Sequence, residues 1–210
     1  MTDFAELARL GVATVHEALG RGGLVDVDLI QVVSGARVAG PARTVRNGQG
    51  DNLMVHAALS QVEPGEILVL TMPQPAPVAL VGELIAVQAI HRKVAGILVD
   101  AAVRDVEQLV VLGLPIWARW IRATGATKEI VGVIDEPVNV GGVIIMPHDV
   151  LVLDADGAVV VPHARADQVL EAARRRERHE DDARQKYKAG ALSYDLSGLR
   201  AKVEGQGPRR

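Results

Sequence analysis

GELIAVQAIHRKVAGILVDAAVRDVEQLVVLGLPIWAR, residues 82–119, contains the pattern from which the fold is predicted. The spacing of its apolar residues predicts, in order, a helix over 82–93, a strand over 96–100, a helix over 105–112 and a strand over 115–118. The strands are near-continuous runs of branched aliphatic residues, which are typical of parallel strands covered by helices. The stretch therefore predicts an α/β fold.

The composition fits such a core and excludes several classes of function. The 210 residues are 49% hydrophobic but only 2% aromatic, so the core must consist mainly of Val, Ile, Leu and Ala. The formal net charge is −3 and few aromatic side chains are present to stack on bases, so we expect no nucleic-acid partner. The lack of Cys excludes disulfides, thiolate metal sites and a Cys nucleophile.

The N-terminus MTDFAELARL gives no sign of a signal peptide, because it carries an early acid and no long apolar run. No apolar run in the sequence reaches the ~18 residues of a membrane span, so we also expect no membrane partner. The sequence therefore predicts a cytoplasmic protein.

Further helices and strands are predicted on both sides of this stretch. Before it we predict one or two short helices over 3–20, strands within 30–45, a helix from Asp51 or Asn52 to Gln61, and a strand over 66–70. After it, β-runs at 130–134, 141–146, 149–155 and 158–162 are separated by Pro, Gly and Asp. These short runs indicate an antiparallel or barrel-like β-segment.

The C-terminal part of the chain has a different character. Residues 163–188 predict a long, mostly polar helix that ends at Gly190. Its apolar stripe is thin, so the helix lies on the surface or reaches a neighbouring subunit. Neither an internal repeat nor a clear linker is present, so we predict one domain with a core over 1–162 and a C-terminal helical arm over 163–210.

Arg104 and Asp105 follow a buried strand and open the next helix, where α/β sheets usually place ligand-binding groups. A carboxylate there can hold a hard cation such as Mg²⁺, and the guanidinium can hold a substrate carboxylate or keto oxygen. A purely structural alternative exists for both residues. Asp105 has the position of a helix N-cap with Gln108 at capping-box spacing, and Arg104 can pair with Glu107 or solvent.

Glu83 also has two interpretations. It stands in the first turn of a predicted helix, where the helix dipole favours a carboxylate. Alternatively, the free N–H groups of Leu84 and Ile85 bind a substrate carboxylate, and Glu83 acts on a proton through water. Twenty residues, one helix plus one strand, separate Glu83 from Arg104. If the strands before them are neighbours, both helix starts lie at the same edge of the sheet.

The remaining candidate for metal binding is histidine, and its spacing does not support such a site. The six His residues form no pair at metal-ligand spacing, so we interpret each as structural or solvated. His56, near the Asp51-Asn52 turn, is the one that we expect close to the predicted pocket.

Three segments of the central stretch resemble a known family. They are Gly82-Glu83-Leu84-Ile85, Asp100-Ala101-Ala102-Val103-Arg104-Asp105 and Leu114-Pro115-Ile116-Trp117-Ala118-Arg119. With further motifs at 51–58, 137–142 and 149–162, the chain resembles the 4-hydroxy-4-methyl-2-oxoglutarate / 4-carboxy-4-hydroxy-2-oxoadipate aldolases over roughly residues 10–195. The same superfamily contains the RraA-like regulators of ribonuclease E.

The resemblance implies a swivelling β/β/α-type sandwich core, assembled as a homotrimer or homohexamer with active sites between subunits. It implies a metal-dependent lyase that cleaves a 4-hydroxy-2-oxo acid and releases pyruvate, often with oxaloacetate decarboxylation as a side activity. The implied cofactor is Mg²⁺ or Mn²⁺, and the implied partner is a small keto acid.

The resemblance also implies roles for particular residues. Asp105 would hold the metal, Arg104 would contact the keto acid oxygens, and Glu83 would orient a water that acts as base. The amides of Leu84 and Ile85, after Gly82, would bind the pyruvyl carboxylate. An acid from a neighbouring subunit's C-terminal helix would complete the metal surroundings; its offset from Gly190 matches Glu180, with Glu177 as a competitor.

A second hypothesis is a non-catalytic, RraA-like protein that binds a ribonuclease or another partner. The residue at position 83 favours the lyase, because the regulators that resemble this chain tend to have a neutral residue there. Three departures from the aldolase pattern concern the substrate: Glu83 stands where Asp is more frequent, Ala101 replaces a common Gly, and Trp120 replaces a small residue. A methyltransferase would need a glycine-rich cofactor loop after its first strand, and the sequence has none of the expected kind.

Overall fold

The computed structural model describes residues 2–205, which divide into two compact units. The first unit extends to Ala173 and the second begins at Arg174. Within residues 2–205, no helix combines the length and the apolar character needed to cross a lipid bilayer.

A nine-stranded sheet forms the first unit, and its centre is parallel. The parallel strands are β2 (Val38–Arg46), β3 (Ile67–Thr71), β4 (Ala79–Val81), β5 (Gly96–Val103) and β6 (Ile116–Ile121). They pair in the order β2, β3, β5 and β6, with β4 beside the end of β5. Every residue of β5 is buried, as expected for a strand covered on both faces.

Antiparallel strands extend the sheet at both ends. Their bounds, with the two strands outside the main sheet, are β1 (Ile30–Gln31), β7 (Val133–Ile134), β8 (Val138–Val140), β9 (Val143–Ile145), β10 (Val150–Asp154) and β11 (Gly157–Val161). β10 pairs with β2 and β11, β7 with β2, and β1 with β6, while β8 and β9 form a separate hairpin. The predicted antiparallel segment is confirmed.

Four helices accompany the sheet: α1 (Phe4–Ala18), α2 (Leu53–Gln61), α3 (Glu83–His91) and α4 (Val106–Leu112). Gly11, with φ 82°, kinks α1, in agreement with the prediction of one or two short helices. Gly113, with φ 73°, ends α4 in the left-handed conformation, so the predicted glycine C-cap is confirmed.

The core consists of three aliphatic clusters in the first unit. One lies between the sheet and α2, α3 and α4, and a second lies between α1, β10, β11 and residues 166–173. The third fills the space between the sheet and the hairpin β8–β9, and includes the fully buried Trp117. The indole of Trp117 donates to the carbonyl of Asp154 at 2.8 Å, so its polar atom is satisfied. The predicted α/β class is confirmed.

The C-terminal helices continue into the second unit. A 3₁₀-helix (His163–Arg165) precedes α5 (Ala166–Lys188), and α6 (Ser193–Leu196) and α7 (Leu199–Glu204) follow. The long helix predicted before Gly190 is therefore present, and it starts within the first unit. Its role as an arm toward a neighbouring subunit stays a prediction.

Two predicted strands have different bounds in the structure. The strand expected over 96–100 continues to Val103, because β4 pairs with its end. The run at 130–134 is wrong as a full strand, since only Val133 and Ile134 are in β7. The residues just before it are held by a side chain instead: the buried carboxylate of Asp51 accepts the N–H of Glu129 at 2.6 Å.

Candidate active site

Two parallel strands bring the predicted site residues together. β4 and β5 pair at Val81 and Val103, so both strands end at the same edge of the sheet. The N–H of Arg104 donates to the carbonyl of Val81 at 3.0 Å, which fixes the start of one turn against the end of the other. Glu83 and Asp105 consequently lie side by side, although twenty-one residues separate them in the sequence.

Asp105 does not cap the helix that it precedes. Its backbone is left-handed, with φ 57° and ψ 41°, and its side chain makes no capping bond to α4. Instead its Oδ2 accepts the N–H of Glu83 at 3.1 Å, so this carboxylate caps the neighbouring helix α3. The structural alternative, a capping box with Gln108, is therefore wrong. The Asp105 side chain remains 42% exposed, so a ligand can reach it.

Gly82 is the position where these groups meet the backbone. Its φ of −140° is accessible to any residue, so space and not conformation requires glycine. A Cβ at this position would lie 2.5 Å from Oδ2 of Asp105 and 3.1 Å from Cγ of Arg104. Glycine therefore permits both side chains to approach the start of α3.

The guanidinium of Arg104 is half-exposed. Within residues 2–205, its carboxylate neighbour is Asp105, with Nε 3.7 Å from Oδ2, and it does not pair with Glu107. A separation of 3.7 Å is longer than a normal hydrogen bond. The donors of Arg104 are therefore available to an anionic ligand.

The start of α3 supplies two further donors. The first bond within the helix runs from the N–H of Ala86 to the carbonyl of Gly82 at 3.1 Å, so the N–H groups of Leu84 and Ile85 precede the helical pattern. Neither amide donates to an acceptor in the described part of the chain. Together with the helix dipole, these amides form the kind of site that binds a carboxylate.

One cavity of about 400 Å³ is lined by all of these residues, namely Gly82, Glu83, Leu84, Ile85, Arg104 and Asp105. Its volume falls within the usual range for small-molecule sites. The opposite wall comes from the start of α2 and from the irregular segment 122–132. The structure thus gathers the residues that were predicted around position 83 and those at 104–105.

Three residues of the opposite wall were not among the predicted site residues: Asn52, His56 and Lys128. Oδ1 of Asn52 and Nε2 of His56 are buried and find no hydrogen-bond partner among residues 2–205. Burial, and then the charge of Lys128, lower the pKa of His56 below its usual 6.5. The sequence position of His56 beside the Asp51-Asn52 turn was a signal for it, but nothing in the sequence pointed to Lys128.

Asp51 holds this wall in place. Its fully buried carboxylate accepts the hydroxyl of Thr127 at 2.6 Å and the N–H groups of Glu129 and Leu53 at 2.6 and 2.8 Å. Burial tends to raise the pKa of Asp51, but these hydrogen bonds outweigh it and lower the pKa to about 2. Of the two predicted caps of α2, Asp51 is the one whose side chain bonds to the first turn, and Asn52 makes no such bond.

A different, larger cavity of about 730 Å³ contains Arg119 and Trp120. Nη1 of Arg119 lies 3.2 Å from the buried carboxylate of Asp100, and its guanidinium stacks 4.7 Å from the centre of the Trp120 ring. The guanidinium of Arg119 is therefore already paired with Asp100 and Trp120. Neither Arg119 of the family motif nor Trp120, the departure from the aldolase pattern, is among the residues that line the cavity of Glu83 and Asp105.

The acidic side chains of the cavity can be compared with the ligands that a divalent cation needs. The part of the chain that the structure describes contains no group of three or more His, Asp or Glu residues placed to hold a metal. Glu83 and Asp105 nevertheless present two exposed carboxylates to one cavity. Mg²⁺ commonly keeps several waters and needs only one or two protein carboxylates, so Asp105 with bound waters fits a hydrated Mg²⁺ or Mn²⁺.

Glu180, the other predicted metal ligand, belongs to the second unit. It lies on α5, where its carboxylate pairs with Nε of Arg176 at 2.8 Å. Its competitor Glu177 lies on the same helix.

Comparisons with known proteins agree on the family. The family model described as RraA-like, Aldolase/RraA, matches residues 12–160. A protein of Halalkalibacterium halodurans named "Putative 4-hydroxy-4-methyl-2-oxoglutarate aldolase" is 34% identical over 168 residues, which are 80% of this chain and 78% of that protein.

Solved structures agree on the fold. Streptomyces coelicolor RraAS2, described as "an unusual member of the RNase ES inhibitor RraA protein family", has a TM-score of 0.78 and 30% identity over 89% of this chain and 100% of its own. An uncharacterized protein from Pseudomonas syringae pv. tomato has a TM-score of 0.80 and 23% identity over 90% of this chain and 93% of its own, and shows likeness of fold alone. The predicted swivelling β/β/α-type core with C-terminal helices is confirmed by these structures. The chain belongs to the RraA-like family of aldolases and RraA proteins.

Proposed function

We propose that this protein is a divalent-metal-dependent lyase that cleaves 4-hydroxy-2-oxo dicarboxylic or tricarboxylic acids and releases pyruvate. Decarboxylation of oxaloacetate is proposed as a side activity, because it leaves the same pyruvate enolate. The observation that carries the proposal is the grouping of Glu83, Arg104, Asp105 and two unpaired amides around one cavity. This set offers acids, a cation and anion-binding donors within reach of one small keto acid.

The anion-binding groups define where the pyruvyl half would lie. The amides of Leu84 and Ile85 bind the C1 carboxylate at the start of α3. Arg104 donates to the keto or carboxylate oxygens from the adjacent turn. Gly82 lets Arg104 and Asp105 lie close to the start of α3, because a side chain there would displace both.

Glu83 supplies the proton transfer. Through a water molecule it removes the proton of the C4 hydroxyl; the C3–C4 bond then breaks, and its electron pair moves onto the C2 oxygen. The second product leaves as a keto acid, and protonation at C3 converts the enolate into pyruvate. Decarboxylation of oxaloacetate has no hydroxyl proton to remove, so it does not need this base.

Asp105 is the proposed holder of Mg²⁺ or Mn²⁺, with waters as further ligands. When bound, the cation supplies positive charge to the oxygen on which negative charge develops. Asp105 keeps its carboxylate aimed at the cavity through the 3.1 Å bond from the N–H of Glu83. We propose that a homotrimer or homohexamer completes the site, with Glu180 or Glu177 from a neighbouring subunit beside the metal.

The test is a coupled assay that measures pyruvate formed from oxaloacetate and from a 4-hydroxy-2-oxo diacid, with and without Mg²⁺. The lyase proposal predicts turnover of both substrates with Mg²⁺ and loss of turnover in EDTA. No turnover of either substrate with Mg²⁺ or Mn²⁺ would reject it.

A second candidate function is binding to a ribonuclease without catalysis. The observation that favours it is the match to RraAS2 over the full length of that protein. The exposed carboxylate at position 83 favours the lyase instead. Co-purification of this protein with an RNase E-type enzyme, combined with no release of pyruvate, would support the second candidate.

A further inference from the structure

Arg104 lies against a glycine of the opposite wall. If Gly125 carried a Cβ, that atom would be 2.7 Å from Nη1 and 3.7 Å from Cζ of Arg104. Contacts below about 3 Å are repulsive for such atoms, so the guanidinium occupies space that an alanine side chain would take. The backbone of Gly125 is outside the left-handed region, so its conformation does not require glycine.

The wall segment around Gly125 is firmly attached to its surroundings. The N–H of Ala79 in β4 donates to the carbonyl of Thr124 at 2.8 Å, and the N–H of Asn52 donates to the carbonyl of Thr127 at 2.9 Å. The buried Asp51 adds its bonds to Thr127 and Glu129. A Cβ at position 125 would therefore move the end of the Arg104 side chain and leave the segment in place.

We propose that Gly125 is a positioning residue for Arg104, which it holds in the orientation that meets the keto acid. The bare backbone at position 125 acts as one side of a slot, and Gly82 acts as the other, since a Cβ there would meet Nε of Arg104 at 3.2 Å. The inference rests on the proposed function in one respect, that Arg104 binds the anionic substrate. The slot itself is inferred only from the distances between Arg104 and the two glycines.

The experiment compares Gly125→Ala with Gly22→Ala, a control at which a Cβ would meet no atom closer than 3.8 Å. Crystal structures of both variants give the position of the Arg104 guanidinium. Titration calorimetry with oxalate and Mg²⁺ gives the affinity for a small dicarboxylate that mimics the enolate. We expect Gly125→Ala to fold, to displace the guanidinium, and to bind oxalate roughly tenfold more weakly, because a charge-assisted hydrogen bond is lost. Gly22→Ala should bind oxalate as the wild type does.

A second arm places both glycine variants in the Arg104→Ala background. If Gly125 acts through Arg104, Gly125→Ala will cause no further loss of oxalate affinity there. An unmoved guanidinium in Gly125→Ala, equal oxalate affinity of that variant and the wild type, or an equal loss in both backgrounds would each overturn the proposal. Wild-type protein that binds oxalate but never releases pyruvate would reject the lyase function and leave the positioning role intact.

Discussion

Asp105 combines a strained backbone with an exposed charge. A non-glycine residue in the left-handed region costs on the order of 1 kcal/mol, and Asp and Asn tolerate it best. Here the conformation turns the carboxylate away from its own helix and toward the N–H of Glu83. Strain of this kind is common where a side chain is held for a ligand.

The first prediction separates the charge of Asp105 from its structural role. Asp105→Asn keeps an oxygen for the N–H of Glu83 and tolerates the left-handed backbone, so its Tm should stay near that of the wild type. Asp105→Ala loses this bond and should be less stable by about 1 kcal/mol. Both variants should lose aldol cleavage and decarboxylation, measured as pyruvate release with Mg²⁺. Full Mg²⁺-dependent activity in either variant would remove Asp105 from the metal site.

The second prediction concerns the base. Glu83→Ala should reduce aldol cleavage roughly a hundredfold or more, because general base catalysis typically contributes that much. Decarboxylation of oxaloacetate should change only a few-fold. The measurement is kcat for both substrates, with Glu107→Ala, an acid in the first turn of the neighbouring helix α4, as the control. Equal losses of both activities would contradict the role assigned to Glu83.

At the scale of elements, one buried carboxylate joins α2 to the irregular wall segment. Asp51 accepts three hydrogen bonds from Leu53, Thr127 and Glu129. Asp51→Ala removes the acceptor of all three bonds, and a hydrogen bond to a charged group is worth about 1.5–3 kcal/mol. We expect Asp51→Ala to lower the free energy of unfolding by about 2 kcal/mol or more at pH 7, measured by urea denaturation. Asp156→Ala, at an exposed hairpin position, is the control.

The lowered pKa of Asp51 also predicts a pH dependence. Its folded pKa of about 2 lies below the ordinary value of 3.8, so its ionised form is favoured by folding. This contribution to stability is complete above the unfolded pKa and is lost as the pH falls through the folded pKa. The stability gap between the wild type and Asp51→Asn should therefore be constant above pH 5 and shrink toward pH 2. A gap that grows on acidification would contradict the assignment.

The elements of the site differ in how far the sequence predicts them. The helix starts at 83 and 105 are predictable because hydrophobic periodicity marks both helices locally. Gly82 precedes α3, and Gly113 ends α4. The cap on α3 was missed, because it depends on the parallel pairing of β4 and β5, which brings Asp105 to a helix twenty-two positions away. Lys128 and Gly125 were missed because their segment has no periodicity and is shaped by the side chain of Asp51.

On the scale of the whole molecule, the surface of α3 supports the proposed assembly. Leu84, Val87 and Ile90 repeat at a spacing of three residues and are 75%, 45% and 40% exposed. An apolar stripe on a surface helix is a common mark of a contact with another chain. Leu84 also lines the cavity, so a neighbouring subunit at this stripe would lie close to the site.

The final prediction tests whether Asp105 and Glu180 from different chains form one site. Asp105→Ala and Glu180→Ala should each be inactive as pure assemblies if both carboxylates serve the metal. In a cyclic trimer, every mixed assembly would contain one site with Asp105 from one subunit and Glu180 from the next. Random co-assembly should then restore about a quarter of the wild-type activity per subunit. Co-expression with two affinity tags would isolate the mixed trimers, in which one intact site of three should give about a third of the wild-type activity per subunit. Glu177→Ala in place of Glu180→Ala decides between the two acids, because only the partner that contributes to the site will be inactive alone and complement Asp105→Ala. Mixed assemblies without activity would show that the two carboxylates do not share an intersubunit site.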